Sequence, residues 1–121
     1  MRRNDLRIPD YLGHILQAIE RIAQYTGRLR ESEFLSNTLV QDAVVRNIEI
    51  IGEAARNIER ASPAFIATHA SIPWSEMIAM RNRVTHGYMT LDVPLVWKTI
   101  QGDLPSLEKR IPRSRWCPGN A

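Results

Sequence analysis

A single cysteine, Cys117, is all the thiol chemistry in this chain. One thiol excludes an intrachain disulfide and a thiolate-built metal site. Its place near the C-terminus, between Trp116 and Pro118, argues against a catalytic nucleophile. Long apolar runs are missing as well; no stretch approaches the roughly 18 residues of a membrane span. The opening Met1-Arg2-Arg3-Asn4-Asp5 leads into mixed polar sequence instead of an apolar leader segment, so the expected location is the cytoplasm. Carboxylates and histidines do not cluster at metal-holding spacings, so neither a metal nor another cofactor is expected. Lysine is scarce too: of 16 cationic residues only Lys98 and Lys109 are lysines. Genomic base composition is the favoured explanation of that arginine excess. The functional one is that guanidinium forks bind phosphates bidentately. A net charge of +3 permits RNA binding without demonstrating it.

What remains is an ordinary globular composition, 44% hydrophobic and 24% charged over 121 residues, enough for one domain with a real core. The pattern is helical throughout. Tyr11, Ile15, Ile19, Ile22 and Thr26 recur at spacings of three and four and predict a first helix from about Arg7 to Tyr25, with Gly27 behind it as the stop. A polar link follows over Arg28, Arg30, Glu31, Ser32 and Glu33. Thr38 with Gln41 reads as a capping box. Val40, Val44, Ile48, Ile51, Ala55 and Ile58 then mark a long helix over about Leu39 to Arg60. Gly52, Ala54 and Ala55 within it suggest close packing against another helix, of the same chain or of a second copy. Ser62-Pro63 starts a short helix through about His69, and Ile72-Pro73-Trp74 repeats the device for a helix through about Thr85 with Gly87 as its stop. Asp92 caps the last helix, whose inner face is Leu95, Val96, Ile100, Leu104 and Leu107; Pro105 predicts a kink or break near Gly102-Asp103. No alternating segment argues for a strand. The expected fold is all-α, a bundle of four main helices plus a short one over residues 1–111, with an irregular tail over 112–121.

Chemistry concentrates in Arg81-Asn82-Arg83-Val84-Thr85-His86-Gly87-Tyr88. On a straight helix Arg81 and His86 would diverge by about 140°, at about 100° per residue. A left-handed turn at Gly87 could swing the imidazole back. Alternatively, a twofold dimer could set His86 of one protomer against Arg81 of the other. Either puts guanidinium and imidazole side by side, with Asn82 at the edge. Such a site suits attack of a ribose 2′-hydroxyl on the adjacent phosphorus. His86, with an ordinary pKa of about 6.5, fits proton transfer, and Arg81 fits stabilisation of charge on the phosphorus oxygens. Structural roles compete with these. Arg81 could be paired with Glu53 or Glu76, His86 could answer a helix macrodipole, and Tyr88 could be a core aromatic with a wet hydroxyl.

Arg81, four intervening residues, His86, one residue and Tyr88 resemble the Arg-x4-His-x-Tyr motif of the HepT-like toxins in the HEPN superfamily. Ile50-Ile51-Gly52-Glu53-Ala54-Ala55, Ile72-Pro73-Trp74, Arg81-Asn82, Val96-Trp97 and Asp103-Leu104-Pro105 extend the resemblance over roughly residues 7 to 110. It implies a four-helix-type bundle that dimerises with its two motifs meeting in an interfacial cleft. It implies a metal-independent endoribonuclease, the toxin of a toxin–antitoxin pair, whose partner is a minimal nucleotidyltransferase that transfers AMP from ATP onto the motif tyrosine. Carried onto this chain, Arg81 and His86 become catalytic, Asn82 supporting, and Tyr88 the modified residue. AMP on Tyr88 would set bulk and negative charge beside Arg81 and His86 and exclude an RNA phosphate. Glu53 lies in a family motif and is expected to pair with an arginine; the tail beyond Ile111 lies outside the resemblance. The competing reading is a non-catalytic binding partner of the nucleotidyltransferase, and a purely structural helical dimer stands third.

Overall fold

The computed structural model describes residues 7–86 and 90–112. Helix α1, Ile8–Thr26, turns Leu12, Ile15, Leu16, Ile19 and Ile22 inward. Gly27 closes it in a right-handed conformation (φ −60°) instead of the left-handed one expected of a glycine stop. The segment read as a polar link contains helix α2, Glu31–Leu35, whose first turn is tied by the Arg30 N–H donating to Glu33 Oε1 at 2.8 Å. Its one apolar anchor is Phe34, fully buried and 5.3 Å from the Trp97 ring, centroid to centroid. A single aromatic in a polar run carries no periodicity, which is why the pattern missed it.

The long helix α3, Thr38–Ala61, starts on a different cap from the expected one. Asn37 Oδ1 accepts the Val40 N–H at 3.1 Å, while Gln41 Nε2 donates to the carbonyls of Phe34 (2.9 Å) and Leu35 (3.2 Å). Gln41 is therefore buried and fastens α2 to α3 instead of completing a capping box with Thr38. Replacing Asn37 with alanine should cost about 1 kcal/mol, the usual value of an N-cap. Thr38→Ala should be close to neutral. Urea unfolding of the two variants separates these assignments; equal losses would restore the capping box.

Ser62 caps helix α4, Pro63–Thr68, as expected, its hydroxyl accepting the Phe65 N–H at 3.1 Å. Helix α5, Trp74–Val84, differs: Pro73 itself is the N-cap and no side chain caps the first turn. Its end differs too. The helix stops at Val84, and Thr85 is already extended (φ −115°, ψ 143°). Strand β1, Thr85–His86, pairs antiparallel with β2, Thr90–Leu91, Thr85 opposite Leu91 and His86 opposite Thr90. The Asp92 N–H donates to the Val84 carbonyl at 2.7 Å and fastens the base of this ribbon. Two-residue strands are too short to leave an alternating pattern in the sequence.

Asp92 caps helix α6, Val93–Lys98, accepting the Leu95 N–H at 3.2 Å. A π-helical turn, Thr99–Asp103, then passes into helix α7, Leu104–Arg110. The kink or break expected from Pro105 takes the form of this π turn: the Leu104 N–H reaches back to the Thr99 carbonyl, and helical continuity is kept. The main elements are thus α1, α3, α5 and the α6–α7 rod, with two short helices, α2 and α4, where one was expected. α3 is central, packed against α1 on one side and α5 on the other. Among the described residues no helix is long and apolar enough to cross a membrane.

Candidate functional site

Gly52 fixes the geometry from which the site is built. A Cβ at this position would lie 3.2 Å from the Met77 carbonyl oxygen and 3.4 Å from that of Ile78, so α3 and α5 approach as closely as a missing side chain allows. Of the small residues expected to receive another helix, Gly52 does so, and that helix is α5 of the same chain. From this contact, one turn back along α3 reaches Glu49 and one turn forward along α5 reaches Arg81. They meet because the two helices run in opposite directions: Arg81 Nε lies 3.3 Å from Glu49 Oε2. Arg81 Nη1 also donates to Asn82 Oδ1 at 3.4 Å.

Glu49 was not among the sequence candidates. Glu53 and Glu76 were expected as partners of Arg81, and neither is. Glu53 directly follows Gly52, one turn along α3 from Glu49 and away from the end of the contact where Arg81 lies. Glu76 shares Arg81's own helix but sits about 140° around it. The Glu49 pairing joins distant positions through tertiary packing, and only knowledge of which helices neighbour one another could have found it. Both side chains are nearly half exposed (46% for Arg81, 40% for Glu49), so the pair contributes at most about 1 kcal/mol to stability. Its effect is orientation. The ion pair with Glu49 and the Asn82 contact hold a guanidinium that is still about half exposed, so donors they do not use are available to a phosphate oxygen.

Arg83, two residues on, is occupied otherwise: Nη2 pairs with Asp103 Oδ2 at 3.2 Å and clamps α5 to the π turn. Thr85 Oγ1 donates to the Arg81 carbonyl at 2.9 Å, satisfying an acceptor at the helix end. The chain then reaches His86 in extended backbone opposite Thr90. The straight-helix divergence of Arg81 and His86 therefore does not apply, and the departure from helix comes before His86 instead of at Gly87. Tyr88 and Gly87 lie outside the described residues. The structure thus brings Arg81, Asn82 and Glu49 together at the surface and carries the backbone of His86 to the adjoining ribbon.

Glu53, expected to pair with an arginine, has no ionic or hydrogen-bonding partner among the described residues. It lines a groove of about 310 Å³ that Glu49 also borders.

Comparison with known proteins follows the same residues. A family model for HepT-like ribonucleases matches residues 15–113. Over 106 residues the chain is 42% identical to a protein of Thermococcus cleftensis named probable ribonuclease HepT, covering 88% of this chain and 94% of that relative. A Caldanaerobacter subterraneus subsp. tengcongensis protein, a candidate RNase by name, is 34% identical over 84% of this chain and 88% of its own length. A Methanocaldococcus jannaschii protein, named as a gamma-glutamylcyclotransferase and candidate RNase, is 39% identical over 90% of this chain but only 47% of its own length. No solved structure matches the chain. With the family model spanning most of the fold just described, including the α3–α5 contact and the Arg81–His86 segment, the chain belongs to the HepT-like ribonuclease family.

Proposed function

We propose that this chain is the toxin of a toxin–antitoxin pair and cleaves RNA internally without a metal ion. The observation that carries the reading is the surface guanidinium of Arg81, oriented by Glu49 and set just before the ribbon that bears His86. In the reaction the ribose 2′-oxygen attacks the adjacent phosphorus and the bond from phosphorus to the leaving 5′-oxygen breaks, giving a 2′,3′-cyclic phosphate and a 5′-hydroxyl. Arg81 binds the non-bridging oxygens, where negative charge builds as the phosphorus becomes five-coordinate. His86 takes the 2′ proton, and in a homodimer the second His86 delivers a proton to the leaving oxygen. Asn82 supports Arg81 through its amide oxygen.

The off-switch is Tyr88. A nucleotidyltransferase antitoxin transfers AMP from ATP: the tyrosine oxygen bonds to the α-phosphorus, pyrophosphate leaves and the phenolic proton is released. The added phosphate lies close in sequence to Arg81 and His86 and competes for the cation that an RNA phosphate needs.

The test is cleavage of RNA by the purified, unmodified protein in excess EDTA, with the ends of the products analysed. Cleavage with 2′,3′-cyclic phosphate termini is expected, and co-expression with the antitoxin should add AMP-sized mass increments that vanish in Tyr88→Phe. Intact RNA in EDTA, with cleavage restored by a divalent metal, would overturn the metal-free mechanism. No cleavage under any condition would leave a binding partner of the antitoxin.

A further inference from the structure

The groove beside Arg81 has a chemistry different from that of the cleavage site. Along α3, Arg46, Ile50, Glu53 and Asn57 follow one another at helical spacing on one face, and His14 of α1 closes the opposite side. Ile50 and Ala54 give it an apolar floor. Its volume, about 310 Å³, is at the small end of ligand pockets and suits one nucleoside instead of a duplex. Glu49 belongs to both places: it borders the groove, and its Oε2 holds Arg81 Nε at 3.3 Å. A nucleotide whose phosphate sits on Arg81 would therefore have its own or its neighbour's base within reach of the groove.

The charges say which part of RNA fits. Glu49 is paired with Arg81 and Glu53 offsets Arg46, so the groove offers a phosphate no excess of positive charge. A base presents donors instead. Glu53 is exposed, and neither it nor the Asn57 amide has a hydrogen-bond partner among the described residues. An unpaired carboxylate beside a cation meant for RNA is a liability unless RNA itself supplies N–H groups. Guanine supplies them best, because its N1–H and N2–H lie side by side and match the two oxygens of one carboxylate. Cytosine and adenine offer an amino group, and uracil only one imino N–H. Single-stranded RNA is read in this way, by splayed bases resting on apolar or aromatic surface with their Watson–Crick edges hydrogen-bonded.

We propose that this groove is a base-selecting subsite for an unpaired guanine next to the scissile phosphate, with Glu53 reading its Watson–Crick edge, Asn57 assisting and Ile50 and Ala54 bearing its face. It rests on the RNA-cleaving reading above, and the experiment has one arm for each. In the first, full-length protein cleaves short single-stranded RNAs that differ only in having G or U at one position. In the second, His86→Ala protein binds the same RNAs, followed by fluorescence anisotropy. The expected result is a preference for G of about tenfold or more, the discrimination of one bidentate contact. Glu53→Gln and Asn57→Ala should lower handling of the G-containing RNA towards that of the U-containing one and so erase that preference, with an unchanged melting temperature. Equal handling of G and U by the unsubstituted groove overturns the proposal. So does a fall in molecular mass of Glu53→Gln by light scattering, which would make the groove a contact between copies of the chain. If wild-type protein cleaves neither RNA, the cleavage reading fails, while the binding arm still decides the subsite.

Discussion

Arg81→Ala should lower kcat/KM for RNA cleavage by about 10²–10³-fold, the usual loss when a preorganised partner of a developing oxyanion is removed. His86→Ala should lower it by about 10²–10⁴-fold, through loss of proton transfer. The arginine effect has a structural signature that separates it from simple loss of charge. Arg81 is aimed because its Nε is held by Glu49 and its Nη1 by Asn82. A lysine keeps the charge but has no Nε to engage and no fork to present. Arg81→Lys should therefore recover little of the lost rate. The double variant should be scarcely worse than the poorer single one, because groups that act on one transition state are not additive. Single-turnover cleavage of a short RNA by each variant measures all of this. Lysine activity close to wild type would mean that Arg81 acts only as a diffuse charge.

The second large effect belongs to stability. Phe34→Ala should cost about 3–5 kcal/mol, the range for deleting a buried aromatic side chain. Few core residues have so much depending on so little local sequence. Phe34 is fully buried, rests on the Trp97 ring, and its carbonyl takes one of the two hydrogen bonds from Gln41. Removing the ring opens a cavity under the five-residue helix α2, and nothing else in that helix is buried. Against a typical total of about 5–15 kcal/mol, most of the margin could go. Urea denaturation is the measurement, with the m-value showing whether α2 comes loose before the rest. A loss under about 1 kcal/mol would mean that α2 does not depend on this contact.

How far the sequence alone reached depended on the range of each interaction. Repetition along one helix was legible: α1 and α3 ended within a residue or two of where their apolar spacing put them, and the local caps at Ser62 and Asp92 were as read. Pro105 announced its disturbance because the missing N–H is a property of the residue itself. Interactions that cross between elements were not legible. Gln41 looked like half of a local capping box, yet it reaches back to α2. Glu49 looked like one surface acid among several, and only the α3–α5 approach at Gly52 singles it out. The candidate site was half visible for the same reason. Arg81, Asn82 and His86 share a short stretch of chain and could be named from it. The carboxylate that orients the arginine lies on another helix, and so does the groove beside it.

Because Thr85 stands opposite Leu91 and His86 opposite Thr90, the chain cannot freely change length here. Strand residues alternate faces, so one residue inserted or deleted between Val84 and His86 would turn everything after it in that strand to the other side of the ribbon. The four residues between Arg81 and His86 are then a mechanical count: the rest of the last helical turn, then one extended step. The ban on insertions and deletions is separate from the side-chain constraints on Asn82, Arg83, Val84 and Thr85. Over evolutionary time the interval should behave like a fixed gear ratio, constant in relatives whose intervening residues have diverged.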